Sequence, residues 1–348
     1  MRVPGLAKAR RVGSIARHRA RPNAAVLMYH RIASPACDPW DIAVSPENFA
    51  GHLEVLASLP RMISIGELGE SLGGGAIERS VAVTFDDGYL DNLECAQPLL
   101  ARHGIPATVF VTTAGLHTGG ETMWWDVVGK ALLHQKPLPA LLELGQGDAV
   151  RTWHVPEAGK DHLARWRAEP YGWREKKRPV PERARTYLDV YGHLAACSAQ
   201  RRHGQVEQLI AWAHAASIDA GPGRDERTMT ADEVQSLANQ EGMTIGSHTE
   251  RHPFLSRVDS KRRWAEIAGS KAALEEVIGE PVEHFSYPNG DLPATGAEEV
   301  ARAGYRTACT SQSAAAFPGQ SLFTIPRLIV RDWGQERFAR WLWQWGHG

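Results

Sequence analysis

Short apolar segments alternate with helical patterns along most of this chain, and this alternation limits the possible folds more than any other feature. The runs AAVLMYH (24–30), SVAVTF (80–85) and ATVFVTT (107–113) have the composition of buried strands. Segments with helix-capping residues, such as Ser45 followed by Pro46, lie between them. Roughly seven strands alternating with helices predict a parallel sheet, which closes most naturally into a barrel.

The alternation is interrupted between residues 119 and 227 by Trp-rich, basic and Pro/Gly-rich segments such as WRAEPYGWREKKRPVPER. Helical patterns occur there at 183–196 and 204–216, but there is little strand signal. We therefore expect a mostly helical insertion at 119–227. The barrel itself is predicted to consist of residues 24–118 and 228–348.

Composition excludes several classes of protein. The 348 residues include 39 basic and 40 acidic side chains, so the net charge of −1 gives no general attraction to nucleic acid. No apolar run is long enough for a transmembrane segment. The four cysteines form no CxxC pair, which fits a reducing compartment and disfavours a cysteine-based zinc site.

The first 23 residues are basic and lack the apolar core of a secretory signal. We predict that residues 1–23 form a flexible tail. The alternative is a weak contact between this tail and an anionic membrane surface. The predicted location is therefore the cytoplasm, with membrane association if the tail makes that contact.

Two adjacent carboxylates, Asp86 and Asp87, directly follow the predicted strand 80–85 and precede Gly88. Adjacent side chains on an extended backbone point in opposite directions, so one carboxylate can bind a metal while the other reaches water or substrate. The glycine permits a tight turn. The alternative is a strand end whose carboxylates cap the next helix.

His248 and His252 lie four residues apart after another predicted strand. A turn-like loop would place both imidazoles on one side, and together with one carboxylate they form a three-ligand set for a catalytic divalent metal. This spacing alone is a weak signal in a chain with 15 histidines, but the position after a strand strengthens it. In FSYPNGD, Pro288 and Gly290 predict a turn whose N–H groups stabilise an oxyanion, or else a plain β-turn.

The segments TFDDG, HTERHP and FSYPNGD, in this order and each after a predicted strand, resemble the polysaccharide deacetylases, the NodB-homology domain of carbohydrate esterase family four. The resemblance implies a distorted (β/α)7 barrel and metal-dependent removal of an acetyl group from a sugar. By position it implies that Asp86 is the general base and that Asp87, His248 and His252 bind the metal. Zn²⁺ is the expected ion, with Co²⁺, Ni²⁺ or Mn²⁺ as alternatives. The oxyanion donor is expected at Tyr287–Asn289.

The chain departs from the family pattern in its third segment, where Ser286 replaces an arginine and Asn289 replaces an aromatic residue. Arg327 in IPRLIV is the predicted substitute for the arginine that orients the base. The late family histidine that donates a proton has no match. His30, which ends the first strand in LMYHRI, is the predicted proton donor, and the alternative is a core histidine.

Asp332 and Trp333 in VRDW resemble a late family motif that orients a catalytic group and lines the acetyl pocket. With Pro288 and Asn289 they are the predicted substrate-binding residues. The predicted function is metal-dependent N-deacetylation of an amino sugar of a cell-surface polysaccharide or its precursor. The alternatives are a hydrolase of another C–N bond, such as a deformylase or small-amide hydrolase, and a degenerate carbohydrate-binding protein.

Overall fold

The structure is a computed structural model, and it describes residues 21–134, 136–157, 180–221, 223 and 226–347. Nearly all of the predicted N-terminal tail, and most of the segment WRAEPYGWREKKRPVPER, lie outside these residues. The chain divides into two compact units. The barrel unit comprises Met1–Ala33, Val44–Gly120 and Thr228–Gly348. The insertion unit comprises Ser34–Ala43 and Glu121–Arg227, so it extends beyond the predicted insertion by one short segment.

The strands of the described chain match the predicted apolar runs closely in the barrel unit. In chain order they are β1 (Ala24–Tyr29), β2 (Arg31–Ile32), β3 (Ala43–Val44), β4 (Ser80–Phe85), β5 (Ala107–Val111), β6 (Leu141–Leu144), β7 (Arg151–His154), β8 (Met243–Ser247), β9 (His284–Ser286), β10 (Thr307–Cys309) and β11 (Leu328–Ile329). All residues of β1, β4 and β5 are buried, which explains why these strands read as continuous apolar runs.

Seven strands form one parallel sheet in the order β10-β9-β8-β5-β4-β1-β11. The segment that leads into β11 also bonds to β10 at the other edge. The Ile325 N–H donates to the Ala308 carbonyl at 2.9 Å, and the Ile325 carbonyl accepts from the Thr310 N–H at 2.8 Å. The parallel sheet therefore curls round on itself, and the predicted distorted (β/α)7 barrel is confirmed.

Helices connect the strands of the barrel unit. They span Pro46–Ala57, Ile65–Gly73, Gln97–His103, Ala231–Ala238, Ser260–Trp264, Ser270–Ile278, Gly296–Arg302 and Gln335–Trp343. The side chain of Ser45 caps the first of them, as predicted, by accepting the Asn48 N–H at 3.3 Å. Thr230 and Glu233 form a capping box at the start of Ala231–Ala238. Short 3-10 turns lie at Leu255–Arg257 and Pro288–Gly290.

The helix Ile65–Gly73 was not predicted. Three of its side chains, Ile65, Leu68 and Leu72, are buried in a core cluster with Val26 of β1. The helix is short and contains Gly66 and Gly69 as well as Gly73, which weakens the sequence signal for a helix. The helix is thus fixed by its apolar contacts in the barrel unit.

Two helical segments of the barrel unit contain a π-helical turn. Asn92–Ala96 runs directly into Gln97–His103, and Ala265–Gly269 joins Ser260–Trp264 to Ser270–Ile278. The segment from Ser260 to Ile278 is therefore not one regular α-helix, although its sequence shows no break there. Such turns are rare and often occur at functional sites, because they change which side chains face the neighbouring elements.

The insertion unit has its own apolar core. Its helices span Trp124–Leu132, Glu182–Ala196 and Ala199–Ala215, and the last two correspond to the predicted helical patterns. Strands β6 and β7 pair as an antiparallel hairpin, with a 3-10 turn at Gly147–Ala149. The hairpin was not predicted, because each strand is only four residues long, with two exposed residues in β6 and three in β7. Across the described residues of both units, no helix is long and apolar enough to cross a membrane.

Candidate active site

Several of the predicted site residues lie at the C-terminal ends of the barrel strands. Asp86 and Asp87 follow β4, His30 follows β1, and His248 follows β8. Backbone hydrogen bonds extend the sheet into this region: the Asp86 N–H donates to the Tyr29 carbonyl at 3.0 Å. In a parallel barrel all of these strand ends meet at one face, so distant parts of the sequence converge there.

Asp87, His248 and His252 form a compact cluster of metal-ligating atoms. One such atom from each residue lies within 4.8 Å of the others, and the Nε2 atoms of His248 and His252 lie 3.5 and 3.4 Å from Asp87 Oδ1. Asp87 and His248 are buried, and His252 is 9% exposed. The structure thus brings together the three residues predicted as metal ligands.

The protonation state of His248 suits a metal ligand. Its Nδ1 lies 2.8 Å from the Ser286 carbonyl, which can only accept, so Nδ1 carries the proton and Nε2 keeps its lone pair. Burial lowers the pKa of His248 and favours the neutral imidazole, although the Asp86 charge opposes this shift. Because a neutral imidazole nitrogen and a carboxylate oxygen are good ligands for a divalent ion, the residues present fit one.

The backbone around Asp87 is tightly constrained. Asp87 and Gly88 both have φ of 74°, in the left-handed region. A side chain at Gly88 would place its Cβ 3.1 Å from Val111 of β5, so the turn requires glycine. The Asp87 carbonyl accepts the Thr112 hydroxyl at 3.1 Å. The TFDDG segment is therefore a rigid turn that fixes the direction of both carboxylates.

The residues from His248 to His252 form the turn-like loop that the sequence predicted, and we call residues 248–252 the metal loop. Thr249 and His252 have φ of 69° and 51°, which is unfavourable for residues other than glycine. The His252 N–H donates to the Thr249 hydroxyl at 3.1 Å. Each such residue costs about 1–3 kcal/mol, so the rest of the fold must impose this conformation.

Asp86 lies in a second cluster, the base pocket, formed by Asp86, Thr84, Ser286, Thr310 and Arg327. The Arg327 guanidinium binds both Asp86 oxygens at 2.6 Å. Its remaining N–H groups donate to the Thr84 hydroxyl at 3.2 Å, the Ser286 hydroxyl at 2.7 Å and the Thr310 carbonyl at 3.0 Å. All five donors of this fully buried arginine are thus used.

The base pocket keeps Asp86 ionised. Burial alone raises the pKa of Asp86, but the charges of Arg327 and His248 and the Arg327 hydrogen bonds hold it well below its usual range. Conversely, Asp86 helps to raise the pKa of Arg327 against the effect of burial. The structure therefore places Arg327 where the sequence predicted a substitute arginine, and the short Ser286 side chain accepts one of its hydrogen bonds.

His30 lies close enough to the base pocket to be influenced by it. Desolvation lowers the pKa of His30 to about 4; the Asp86 charge opposes this effect, and the Arg327 and Arg331 charges reinforce it. The His30 carbonyl accepts a hydrogen bond from the Asn92 side chain at 2.8 Å. Asp86 is thus the neighbour whose charge favours a proton on this imidazole.

Tyr287 does not have the catalytic role that the sequence predicted. Its N–H donates to the Cys309 carbonyl at 3.1 Å, and its buried hydroxyl donates to the Phe323 carbonyl at 3.2 Å. The Tyr287 amide is therefore not available to an oxyanion. Since Pro288 has no N–H, Asn289 is the remaining candidate donor within Tyr287–Asn289; it is exposed and has φ of 57°.

Comparisons with known proteins agree with these motifs. The family model described as polysaccharide deacetylase matches residues 73–132 and 212–308. The putative polysaccharide deacetylase YxkH of Bacillus subtilis (strain 168) is 32% identical over 311 residues, which cover 88% of this chain and 70% of that protein. The chain belongs to the polysaccharide deacetylase family. It is a deacetylase, a hydrolase that acts on C–N bonds, as the sequence motifs predicted.

Solved structures share the fold of this deacetylase. The Streptococcus pyogenes deacetylase PplD, in complex with acetate, has a TM-score of 0.55 and 17% identity, and the match covers 92% of this chain and 98% of that one. IcaB from Ammonifex degensii has a TM-score of 0.52 and 17% identity, with 92% and 97% covered. At this level of identity the likeness establishes the fold.

In this deacetylase Asp332 contacts the start of a helix and makes no hydrogen bond to His30 within the described residues. Its Oδ1 accepts from the Ser45 N–H at 3.0 Å, the Ser45 hydroxyl at 2.9 Å and the Asn48 amide at 2.6 Å. The prediction that Asp332 directly orients a catalytic group therefore needs correction. Asp332 instead ties the VRDW turn to the N-terminus of Pro46–Ala57.

Sequence reasoning missed His52, which is buried beside the VRDW turn of the deacetylase. Its Nε2 lies 2.6 Å from the Trp333 carbonyl, so Nε2 donates and Nδ1 accepts from the Tyr29 hydroxyl at 3.2 Å. Trp333 itself is half-buried and packs against Trp341 at 5.0 Å. His52 lies on the apolar face of its helix between Phe49 and Leu53, and this position was the available signal.

Proposed function

We propose that this deacetylase uses a divalent metal ion to remove N-acetyl groups from an amino sugar of a cell-surface polysaccharide or of its precursor. The observation that carries the proposal is the placement of an ionised carboxylate, Asp86, beside the cluster of Asp87, His248 and His252. Asp86 Oδ2 lies 4.0 Å from His248 Nε2. The names of the family and of its relatives support the class of substrate.

Asp87, His248 and His252 would hold the metal ion. Two imidazole nitrogens and one carboxylate oxygen favour Zn²⁺, with Co²⁺, Ni²⁺ or Mn²⁺ as alternatives. An ion bound there would lower the pKa of a water molecule and polarise the acetyl carbonyl. The Ser286 carbonyl supports this role, because it fixes the His248 tautomer with Nε2 directed at the cluster.

Asp86 acts as the general base in this proposal. It accepts a proton from the attacking water while the water oxygen forms a bond to the acetyl carbon. Arg327 keeps the carboxylate ionised and fixes its orientation through two hydrogen bonds of 2.6 Å. The N–H of Asn289 donates to the oxyanion of the tetrahedral intermediate.

His30 completes the reaction by donating a proton to the leaving nitrogen as the C–N bond breaks. Acetate and a free amine are the products. Desolvation lowers the pKa of His30 to about 4, so in this proposal the imidazole receives the proton that Asp86 accepted from water and passes it to the nitrogen; the charge of Asp86 favours a proton on His30. Pro288, Asn289 and the half-buried Trp333 are the proposed substrate contacts, and Asp332 positions Trp333 by holding the VRDW turn.

Acetate release from N-acetylglucosamine oligomers tests the proposed function. We expect turnover by the purified protein, its loss after treatment with a chelator, and its return on addition of Zn²⁺. A parallel assay with formylated sugars and small cyclic amides identifies any other C–N substrate. Turnover of those compounds alone would contradict N-deacetylation. Glycan binding without a stoichiometric metal ion or turnover would instead indicate a degenerate carbohydrate-binding protein.

The proposed location is the cytoplasm, with a weak contact between the basic N-terminal tail and an anionic membrane surface. A lipid-linked or nucleotide-linked precursor would be the substrate available there. Cell fractionation tests this part of the proposal: we expect the protein in the cytoplasmic and peripheral membrane fractions. Its recovery from the exported fraction would favour the mature polysaccharide as substrate.

A further inference from the structure

The metal loop is held from outside at each of the three residues between its two histidines. The backbone N–H groups of Thr113 and Ala114, which follow β5, donate to the carbonyls of Thr249 and Glu250 at 3.2 and 2.9 Å, respectively. The third, Arg251, donates its N–H to the Glu266 carboxylate at 2.8 Å. Glu266 is thus the one side chain among these three anchors.

The Glu266 carboxylate is buried and charge-compensated. Its residue is only 1% exposed, although glutamate is normally a surface residue. Arg262 donates to it at 2.6 Å and also lies 3.7 Å from the carboxylate of Glu250 in the metal loop. A buried carboxylate is unfavourable unless it is paired and hydrogen-bonded. The contacts with Arg262 and with the Arg251 N–H are therefore what stabilise Glu266 in this position.

The π-helical turn Ala265–Gly269 creates the geometry of this contact. Glu266 is its second residue, and Gly269 is its last. A Cβ atom at Gly269 would lie 2.5 Å from Oε1 at the end of the Glu250 side chain, so the π turn and the metal loop lie close together here. The π turn that interrupts the helix therefore carries the anchoring carboxylate and lies beside the loop.

The loop needs such anchors because its backbone is unfavourable on its own. Thr249 and His252 both have positive φ, and Thr249 is β-branched. Conformations of this kind persist only where neighbouring groups impose them. Without the Glu266 contact, the two imidazoles would spend less time in the arrangement that brings Nε2 of each to within about 3.5 Å of Asp87.

We propose that Glu266 is a positioning residue for the metal centre. By accepting the Arg251 N–H, Glu266 holds the metal loop in its metal-binding conformation. This inference rests on the proposed metal-binding role of Asp87, His248 and His252. Glu266 is bonded to the backbone between the histidines, so it acts on the centre only through the loop. Groups that orient ligands in this way typically affect metal affinity by about 10–100-fold.

The test is the affinity of the Glu266→Ala variant for Zn²⁺, measured by competition with a chromophoric chelator. Glu275 gives a matched control on the next helix. It accepts the Val282 N–H at 3.0 Å and pairs with Lys271, four residues before it, as Glu266 pairs with Arg262. The Glu275→Ala variant thus loses the same kind of contact at a loop that carries no ligand.

We expect Glu266→Ala to bind Zn²⁺ at least about tenfold more weakly than the wild type, and Glu275→Ala to bind it equally well. The visible absorption of bound Co²⁺ should also change only in the Glu266 variant. Glu266→Gln keeps an oxygen that accepts the Arg251 N–H, so most of the affinity should return. Equal affinity of Glu266→Ala and the wild type would overturn the proposal.

Two further outcomes are assigned in advance. If Glu266→Ala does not fold, Glu266→Asp takes its place, because it keeps the charge but draws the carboxylate back from Arg251. Weaker Zn²⁺ binding by Glu266→Asp supports the proposal, and unchanged binding contradicts it. A wild-type protein that binds no divalent ion would refute the proposed metal site itself. That result is distinguishable from a failure of the Glu266 inference, in which the wild type and the variant bind equally.

Discussion

The base pocket and the metal loop lie side by side, but different forces hold them. In the base pocket one buried arginine, Arg327, makes five hydrogen bonds that reach Asp86 and three other residues. Between the two histidines of the metal loop, two residues are anchored by backbone N–H groups and one by the Glu266 carboxylate. The pocket thus depends on the identity of one side chain, whereas the loop shares its support among several groups.

This difference predicts how the two regions respond to substitution. Loss of one charged side chain in the base pocket leaves its partner buried and unpaired, which is costly. Loss of one contact in the metal loop leaves the other anchors in place, so the effect is smaller. Single substitutions should therefore give large changes in stability at the pocket and graded changes at the loop.

The largest expected effect on stability is that of Arg327→Met. It leaves the Asp86 carboxylate buried without its cation, and we expect the free energy of unfolding to fall by about 3–5 kcal/mol. Urea denaturation measures this change. Arg340→Met is the control, because Arg340 pairs with Glu336 on the surface and should contribute no more than about 0.5 kcal/mol. Similar small losses of stability in both variants would contradict the claim that the base pocket depends on Arg327.

A pH titration extends the comparison to the strand end that bears His30. His52, whose Nδ1 lies 3.2 Å from the hydroxyl of Tyr29 on that strand, is buried, and desolvation lowers its pKa from 6.5 to about 4, although hydrogen bonding to Trp333 and the Asp332 charge oppose the shift. Between pH 4 and pH 6.5, His52 binds a proton in the unfolded chain but not in the folded protein. The contribution of neutral His52 to stability is therefore present above pH 6.5 and is lost as the pH falls towards 4.

In the wild type, His52 should account for about 3 kcal/mol of the fall in the free energy of unfolding between pH 6.5 and 4. The His52→Gln variant should not show this part of the fall. Denaturation curves of wild type and variant across this range measure it. His103→Gln, at an exposed position, controls for the substitution itself and should follow the wild type. Parallel curves for wild type and His52→Gln would show that His52 is not held neutral by burial.

The smallest expected effect concerns Thr249 in the metal loop. Thr249→Val removes the hydroxyl that accepts the His252 N–H, and it should lower the free energy of unfolding by about 1 kcal/mol. Thr249→Asn keeps a side-chain oxygen and tolerates positive φ better, so its cost should be smaller. A loss above about 3 kcal/mol for Thr249→Val would mean that the loop depends on one side chain as the pocket does.

The sequence predicted much of the site because its residues follow strands. The ends of parallel strands meet at one face, so Asp86, Asp87, His248 and His30 were expected to converge before any contact was known. Arg327 was expected near the same residues, and it lies directly before β11 with its guanidinium on Asp86. The roles of these residues in catalysis and metal binding stay predictions.

Other features depend on tertiary contacts that no local pattern reveals. Tyr287 was expected to offer its amide to substrate, but the sheet continues past β9 and the Cys309 carbonyl accepts that N–H. His52 and Glu266 look like ordinary helix residues in sequence. Their importance comes from partners far along the chain, Trp333 and Arg251. The π turn at Glu266 likewise has no clear signature in the sequence.

The metal content and the turnover of Asp86→Asn and His248→Ala, both measured on folded protein, separate the role of the base from that of the metal ligands. We predict that Asp86→Asn keeps one equivalent of divalent ion but loses turnover of an N-acetylated sugar by about 10²–10⁴-fold. His248→Ala should lose both the ion and the activity. Full activity of Asp86→Asn, or undiminished metal binding by His248→Ala, would contradict the assignment of the base and the metal site.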